Sequence, residues 1–310
     1  LIMGGTRSSS VDWGAYSSSP STKSTTFSSA GFSTGSSGVK PEYDPKNIKV
    51  RESRSSPANP HPTPIIVAMD CTGSMQDLAV SMLKNVGTLM SEIYTRDVVS
   101  DPHVMAMFFD DVTTAPNTAL QATQFEADMV IIDQLKDLSF IGLGGGNNHE
   151  SSSLPLFFAQ NKCDCDAFSE GRKGFIFLIG DDGVPPALTR QQLINIFGPD
   201  FDPGEEQSFE TLLEQVQENW HVFNVIPTRG GHRSLDWVVS GWQKVLGERA
   251  IPLEDIDRLA EVLVAIMQVI AGADKAMVAA SFKDPGTSLV VSKAIGGLTA
   301  TGKSGGVVRL

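Results

Sequence analysis

The stretch PTPIIVAMDCTGSM, Pro62 to Met75, sets an unbroken apolar run, Ile65 to Met69, directly against Asp70-Cys71-Thr72-Gly73-Ser74. A short β-branched run that ends in a carboxylate and small hydroxyl residues reads as a buried parallel strand with its polar loop at the carboxyl end. Open α/β sheets place their ligands at that end. Asp70, Thr72 and Ser74 put oxygen-bearing side chains at alternate positions, and Gly73 lets the loop turn tightly. One carboxylate with two hydroxyls suits a hard divalent cation such as magnesium, which keeps several waters and takes few protein ligands.

Working outward, Met75 to Tyr94 carries Leu78, Met82, Val86, Leu89, Met90 and Ile93 at helical spacing, the pattern of a crossover helix. Val104 to Phe109 is a second strand, ending at Asp110-Asp111, and Phe125 to Leu138 reads as a helix. Gly174 to Ile179 is a third buried strand, running into Gly180-Asp181-Asp182-Gly183. Thr189 to Phe197 and Phe209 to Trp220 read as helices, the second with Ser208 as N-cap. His221 to Ile226 is a further strand, and Leu235 to Leu246 and Leu253 to Ile270 read as amphipathic helices. This alternation over residues 61–272 predicts an α/β domain with a mostly parallel central sheet and helices on both faces, Rossmann-like in kind.

The strand followed by DxTxS and a helix resembles the von Willebrand factor A (vWA) domain family and its metal-ion-dependent adhesion site. Two further motifs extend the resemblance, which covers about two thirds of the chain. Gly144-Gly145-Gly146-Asn147-Asn148-His149-Glu150 is similar to the GGGDxPE second loop of a subset of that family, with Asn147 and His149 in place of its Asp and Pro. The resemblance implies Glu150 as a metal ligand, with Asn147 as the alternate. Leu178-Ile179-Gly180-Asp181 matches the third motif and implies Asp181, with Asp182 as alternate. The implied set is Asp70, Thr72, Ser74, Glu150 and Asp181 around magnesium, manganese or calcium, leaving one coordination position for an acidic side chain of a partner protein. Intracellular relatives of this kind often work beside AAA+ ATPases or in multi-subunit complexes, so an AAA+ ATPase or identical subunits are the implied partners.

Two segments flank the expected domain. Residues 1–60 hold sixteen serines, too little apolar surface to offset the entropy of ordering, and are expected to be disordered or to act as an assembly arm. Trp13, Tyr16, Phe27 and Phe32 are spaced through that arm as candidate contacts to a neighbouring subunit. Residues 273–310 read as a Gly/Ser/Thr-rich tail. Within it, Gly297 to Ser304 satisfies the P-loop spacing, but six residues after Ser304, two of them glycine, leave no room for the helix whose amino end would face phosphates.

Composition removes several function classes. The net charge of −12 splits into +3 over residues 1–60 and −15 over the remainder, and an acidic body opposes a nucleic-acid surface, which needs clustered Lys and Arg. No apolar run reaches the roughly 18 residues that span a bilayer, and no secretory signal is visible, so a cytoplasmic setting without membrane contact is the expectation. Cys71, Cys163 and Cys165 make neither a disulfide framework nor a zinc spacing.

Three functions compete. The first is a metal-dependent protein-interaction module. The second is a structural assembly subunit of a filament, shell or virion in which the metal site is secondary. The third is a phosphatase of the haloacid dehalogenase type, whose DxDx[TV] motif the DxT of Asp70 and Thr72 fails for want of the second aspartate, the general acid. No catalytic constellation is visible, and the expectation is a protein that is not an enzyme.

Overall fold

The computed structural model of the chain describes residues 33–34, 38–140, 149–228 and 235–300, apart from the side chains at 33–34, 74 and 76–84. In chain order the strands are β1 (Ser33–Thr34), β2 (Arg51–Ser53), β3 (Thr63–Asp70), β4 (Pro102–Phe109), β5 (Leu120–Ala122), β6 (Ser139–Phe140), β7 (Cys163–Cys165), β8 (Gly174–Ile179), β9 (Trp220–Pro227) and β10 (Ala250–Leu253). The helices are α1 (Gln76–Arg96), α2 (Val130–Asp137), α3 (Ser153–Lys162), α4 (Asp166–Ser169), α5 (Arg190–Phe197), α6 (Phe209–Gln217), α7 (Asp236–Leu246), α8 (Leu259–Ile270), α9 (Lys275–Ala280) and α10 (Pro285–Ile295).

Six strands form the central sheet in the order β10-β9-β8-β3-β4-β5, parallel throughout except for β5, which runs antiparallel to β4. The chain enters at β3, builds outward through β4 and β5, then returns to the other side of β3 with β8. That reversal makes a crevice at the carboxyl ends of β3 and β8, where open α/β sheets hold ligands. Every residue of β3 is buried, and the two-residue period sends Ile65, Val67 and Met69 into one layer and Ile66 and Ala68 into the other. The first layer includes α2, α8 and the buried face of α1 (Val86, Leu89, Met90, Ile93); the second includes α3, α5, α6 and α7. The sheet and its two helical layers are the mostly parallel α/β architecture that the strand and helix periods predict.

Close packing fixes the base of β8. A Cβ on Gly174 would lie 2.5 Å from the Trp220 ring and 2.7 Å from the Pro64 carbonyl oxygen, so no larger residue fits where β3, β8 and β9 meet. Caps set the helices: Thr189 and Gln192 form a capping box on α5, and Ser208 accepts from the Thr211 N–H on α6, as its place before Phe209 predicts.

The boundaries differ from the sequence reading at both ends. The folded body begins by residue 38. Tyr43 and Ile48 are buried, and Arg51, 5% exposed, donates from Nη2 to the Ala122 carbonyl at 2.9 Å, so the last third of the Ser-rich 1–60 segment belongs to the domain. Residues 274–298 are not a tail. Asp274 and Asp284 cap α9 and α10, and Val278, Phe282, Val291, Ile295 and Leu298 join the core layer of α1 and α8. Arg96 at the end of α1 lies over the Phe282 ring at 4.0 Å and donates to Ser281 Oγ at 2.7 Å. Because these helices cover it, α8 is buried on nearly all sides instead of amphipathic, and Leu253 ends strand β10 instead of starting the helix. Residues 125–129 precede α2, Glu126 pairing antiparallel with Val104. Lys303 and Ser304 of the P-loop-like string lie outside the described residues. Among the described residues, no helix is long and apolar enough to cross a membrane.

Candidate metal centre

Asp70 is the last residue of β3 and is 1% exposed. Its Oδ1 accepts the Thr72 backbone N–H at 2.8 Å, an Asx turn that bends the chain into the 3-10 turn Gly73–Met75 and leaves Oδ2 buried with no hydrogen-bond partner. Gly180, the residue after β8, lies directly opposite. A Cβ there would sit 3.2 Å from Asp70 Cβ and 3.5 Å from Oδ2, so glycine lets the two strand ends approach. Asp181 and Asp182 follow, and one carboxylate oxygen from each lies within 4.8 Å of the others and of one from Asp70.

Glu150 reaches the same edge from the loop ahead of α3. His149 forms a parallel bridge with Gly183, which places Glu150 against the Asp182 loop. Ser151 Oγ accepts the Val112 N–H at 3.0 Å and ties the same loop to the end of β4. Glu150 is 5% exposed, and its Oε2 also lacks a hydrogen-bond partner. Asp110 and Asp111 stand behind it, buried but locally engaged: Asp110 Oδ1 accepts the Asp111 N–H at 2.7 Å, and Asp111 Oδ1 accepts from the Thr113 N–H at 2.8 Å and from its hydroxyl.

The electrostatics follow from crowding carboxylates out of water. Burial pushes Asp70 well above the usual carboxylate range; the Thr72 hydrogen bonds pull it down, and Asp181 and Asp182 push it up again. Burial, then the charges of Asp70, Asp182, Asp110 and Asp111, raise Glu150 to about 10. Two buried acceptor oxygens without donors, beside further acids, is an arrangement that costs free energy unless a cation sits among them. Hard oxygen donors in this number suit magnesium, manganese or calcium, and the residues present fit such an ion.

Of the residues named from the sequence, Asp70, Thr72, Glu150, Asp181 and Asp182 all come to this edge. Thr72 is 2% exposed. The side chain of Ser74, Asn147 and the glycines 144–146 lie outside the described residues. Asp181, expected as the ligand, and Asp182, its alternate, both lie beside Asp70, and Asp182 is the one whose charge acts on Glu150. Sequence reasoning missed Ser152 and Ser153, whose buried hydroxyls lack partners one turn beyond Glu150; the serine triplet after Glu150 was the signal. It also missed the second support of the acidic loop. The Trp242 indole N–H on α7 donates to the Asp182 carbonyl at 2.8 Å, and the buried Asn224 amide on β9 lies beside it, oriented to donate to the Leu178 carbonyl at 3.1 Å.

No protein-family model and no curated protein matches the chain. Among solved structures it is similar in backbone to the pilus adhesin SpaC of Lactobacillus rhamnosus GG (12% identity, TM-score 0.48, covering 71% of this chain and 32% of that one). It is likewise similar to proximal thread matrix protein 1 of the mussel byssus (12% identity, TM-score 0.43, covering 67% and 47%). A third likeness is to the conserved hypothetical protein BatB of Bacteroides thetaiotaomicron (12% identity, TM-score 0.40, covering 65% and 95%). The chain thus spans about a third of the length of SpaC and about half that of the byssus protein.

Proposed function

We propose that this chain is a protein-interaction module of the vWA kind that holds a divalent cation, magnesium foremost, at the crevice between β3 and β8 and takes an acidic side chain from a partner protein. The observation that carries the reading is the pair of buried, partnerless oxygens, Asp70 Oδ2, set beside Asp181 and Asp182, and Glu150 Oε2, held against the Asp182 loop. Asp70, Thr72, Ser74, Glu150 and one or both of Asp181 and Asp182 would hold the ion. When bound, the cation supplies the positive charge these acids lack and a position for one more oxygen ligand. The role is binding and not catalysis: the residue two beyond Asp70, where a phosphatase of the haloacid dehalogenase type carries its general acid, is the buried Thr72.

Isothermal titration of the full chain with magnesium and with manganese, beside Asp70→Ala, tests this. Saturable binding to the wild type and none to the variant supports the site. Equal heats in both proteins, or none in either, would remove it.

A further inference from the structure

Far from the acidic edge, the small β2–β7 sheet gathers two thiols and a buried guanidinium that the fold alone does not require. We propose that Cys163 and Cys165 together bind one soft monovalent cation of the copper(I) class, as an anionic bis-thiolate complex whose charge the buried Arg51 balances.

The backbone brings the three side chains together. β7 lies parallel to β2, with Arg51 beside Cys163, Glu52 beside Asp164 and Ser53 beside Cys165. Cys163 (φ −107°, ψ 132°) and Cys165 (φ −128°, ψ 128°) are both extended, so their side chains share one face of the strand and Asp164 takes the other. The outer face is clamped: Arg54 donates to Glu52 at 2.7 Å, to Asp164 at 3.2 Å and to Asp166 at 2.9 Å, and the Ser55 N–H donates to Asp166 at 2.7 Å. The inner face carries Arg51, Ser53 and Cys165, all buried, and Cys163, which is half-buried and gives the pair its access from outside. Both thiols are free.

Distance decides what the two thiols do. Side chains two residues apart on a strand stand roughly 6–7 Å from one another. A disulfide needs Cβ atoms at about 3.5–4.5 Å, so it does not close here while the strand stays extended. Two metal–thiolate bonds of about 2.3 Å placed in line span about 4.6 Å. Each Cβ–Sγ bond leaning toward the other by roughly 1 Å makes up that difference.

Charge decides which ion. Arg51 is 5% exposed, its Nη2 donates to the carbonyls of Glu42 and Ala122 at 2.5 and 2.9 Å, and its Nε is buried with no hydrogen-bond partner. The acidic groups whose charges act on it are Cys163 and Tyr43. Burial pushes both of these up, Tyr43 to about 12, so at neutral pH the guanidinium is a buried cation without an anion. Thiolates are soft donors that select copper(I) and zinc. A monovalent ion that displaces both thiol protons to solvent leaves a complex of charge −1, the counter-charge Arg51 lacks. Zinc on the same two thiolates would be neutral, and it takes four ligands. Among the described residues, the one group of three or more His, Cys, Asp or Glu side chains that meets closely enough to surround an ion is Asp70, Asp181 and Asp182, so zinc finds no further ligand of these kinds beside the cysteines. The two-coordinate geometry that remains is one a monovalent ion with a filled d shell accepts.

The full chain, reduced and kept from oxygen, is titrated with copper(I) against a chromophoric copper(I) chelator. The wild type should retain one equivalent, which Cys163→Ser and Cys165→Ser each give up, and the copper K-edge spectrum of the loaded chain should show sulfur neighbours alone. Cys163→Ser exchanges a half-buried thiol for a group of the same shape, so an unchanged circular dichroism spectrum separates its loss of copper from unfolding. Zinc uptake, followed with a colorimetric indicator, should be equal in wild type and Cys163→Ser. No copper retained by the wild type, or equal copper in wild type and Cys163→Ser, would overturn the proposal. So would half an equivalent per chain, which places the ion between two copies, or a nitrogen neighbour in the spectrum. Zinc held through Cys163 would overturn the choice of a monovalent ion.

Discussion

The indole N–H of Trp242 meets the backbone carbonyl of Asp182 at 2.8 Å, joining the helix α7 to the loop that carries two of the site's acids. The indole is 1% exposed, so no water replaces the bond if it is lost. Trp242→Phe keeps the ring in its layer and removes only the donor. Metal affinity should fall about tenfold, the usual effect of deleting a group that orients a ligand. Unfolding free energy should fall by only about 1 kcal/mol. Titration with manganese and urea melts of the same preparation check this. Unchanged affinity with lowered stability would show that Trp242 serves packing alone.

Gly180 against Asp70 predicts a second effect without touching any oxygen ligand. The Cβ of Gly180→Ala would press at 3.2 Å on Asp70 Cβ, closer than ordinary contact, so the carboxylate must move by a few tenths of an ångström. Ligand positions tolerate little displacement for an ion that demands regular geometry. The variant should keep its circular dichroism spectrum and bind magnesium more weakly, calcium suffering less because its shell is looser. Equal losses for both ions would argue for a general distortion of the loop.

How much of this could be read in advance depends on where each element draws its stability. The strand ending at Asp70 and the helix caps at Thr189 and Ser208 were legible because local pattern and tertiary role agree there. Strand β5, three residues from Leu120 to Ala122, has no readable period and exists through its pairing with β4. Helices α9 and α10 were hidden because residues 273–310 read as a tail by composition, thirteen of the thirty-eight being Gly, Ser or Thr, while Val278, Phe282, Val291 and Ile295 make the buried stripe. Asp70, Asp181 and Asp182 were legible as strand-end carboxylates, and Glu150 only through the likeness of residues 144–150 to a family motif. Trp242 was not, since a helical tryptophan reads as core until the loop it meets is known.

Asp70 should be a residue that function retains at a cost to stability. In the metal-free protein its buried Oδ2 faces other acids and no donor. Asp70→Asn still accepts the Thr72 N–H through its oxygen, and its amide gives Asp181 and Asp182 a donor. In EDTA the variant should be more stable than wild type by about 1–3 kcal/mol. Saturating manganese, at a hundredfold its dissociation constant, should stabilise the wild type by about 2.7 kcal/mol and the variant not at all. Thermal melts in both conditions decide it; a variant less stable than wild type in EDTA would show that Asp70 is held for its own hydrogen bonding.

Glu126 supplies a pH dependence remote from the metal edge. Its backbone pairs with Val104 through bonds of 2.8 and 2.9 Å, its Oε1 accepts from Gln134 Nε2, and Gln134 in turn accepts the Gln124 N–H at 2.8 Å. Burial raises its pKa from 4.5 to about 7; the Gln134 bond opposes the rise and the charge of Asp128 adds to it. Between these values the unfolded chain releases the proton and the folded chain keeps it, so stability falls as pH rises from 4.5 to 7 and is unaffected by this group below 4.5. The full loss above pH 7 is on the order of 3 kcal/mol. Glu126→Gln removes the ionisable group and keeps its shape. Wild type and variant should unfold at similar urea concentrations at pH 4, and the variant should be the more stable by about 1–3 kcal/mol at pH 8. A difference that does not change between the two pH values would show that the carboxyl titrates in the folded chain as it does in the unfolded one, with Gln134 and solvent carrying its charge.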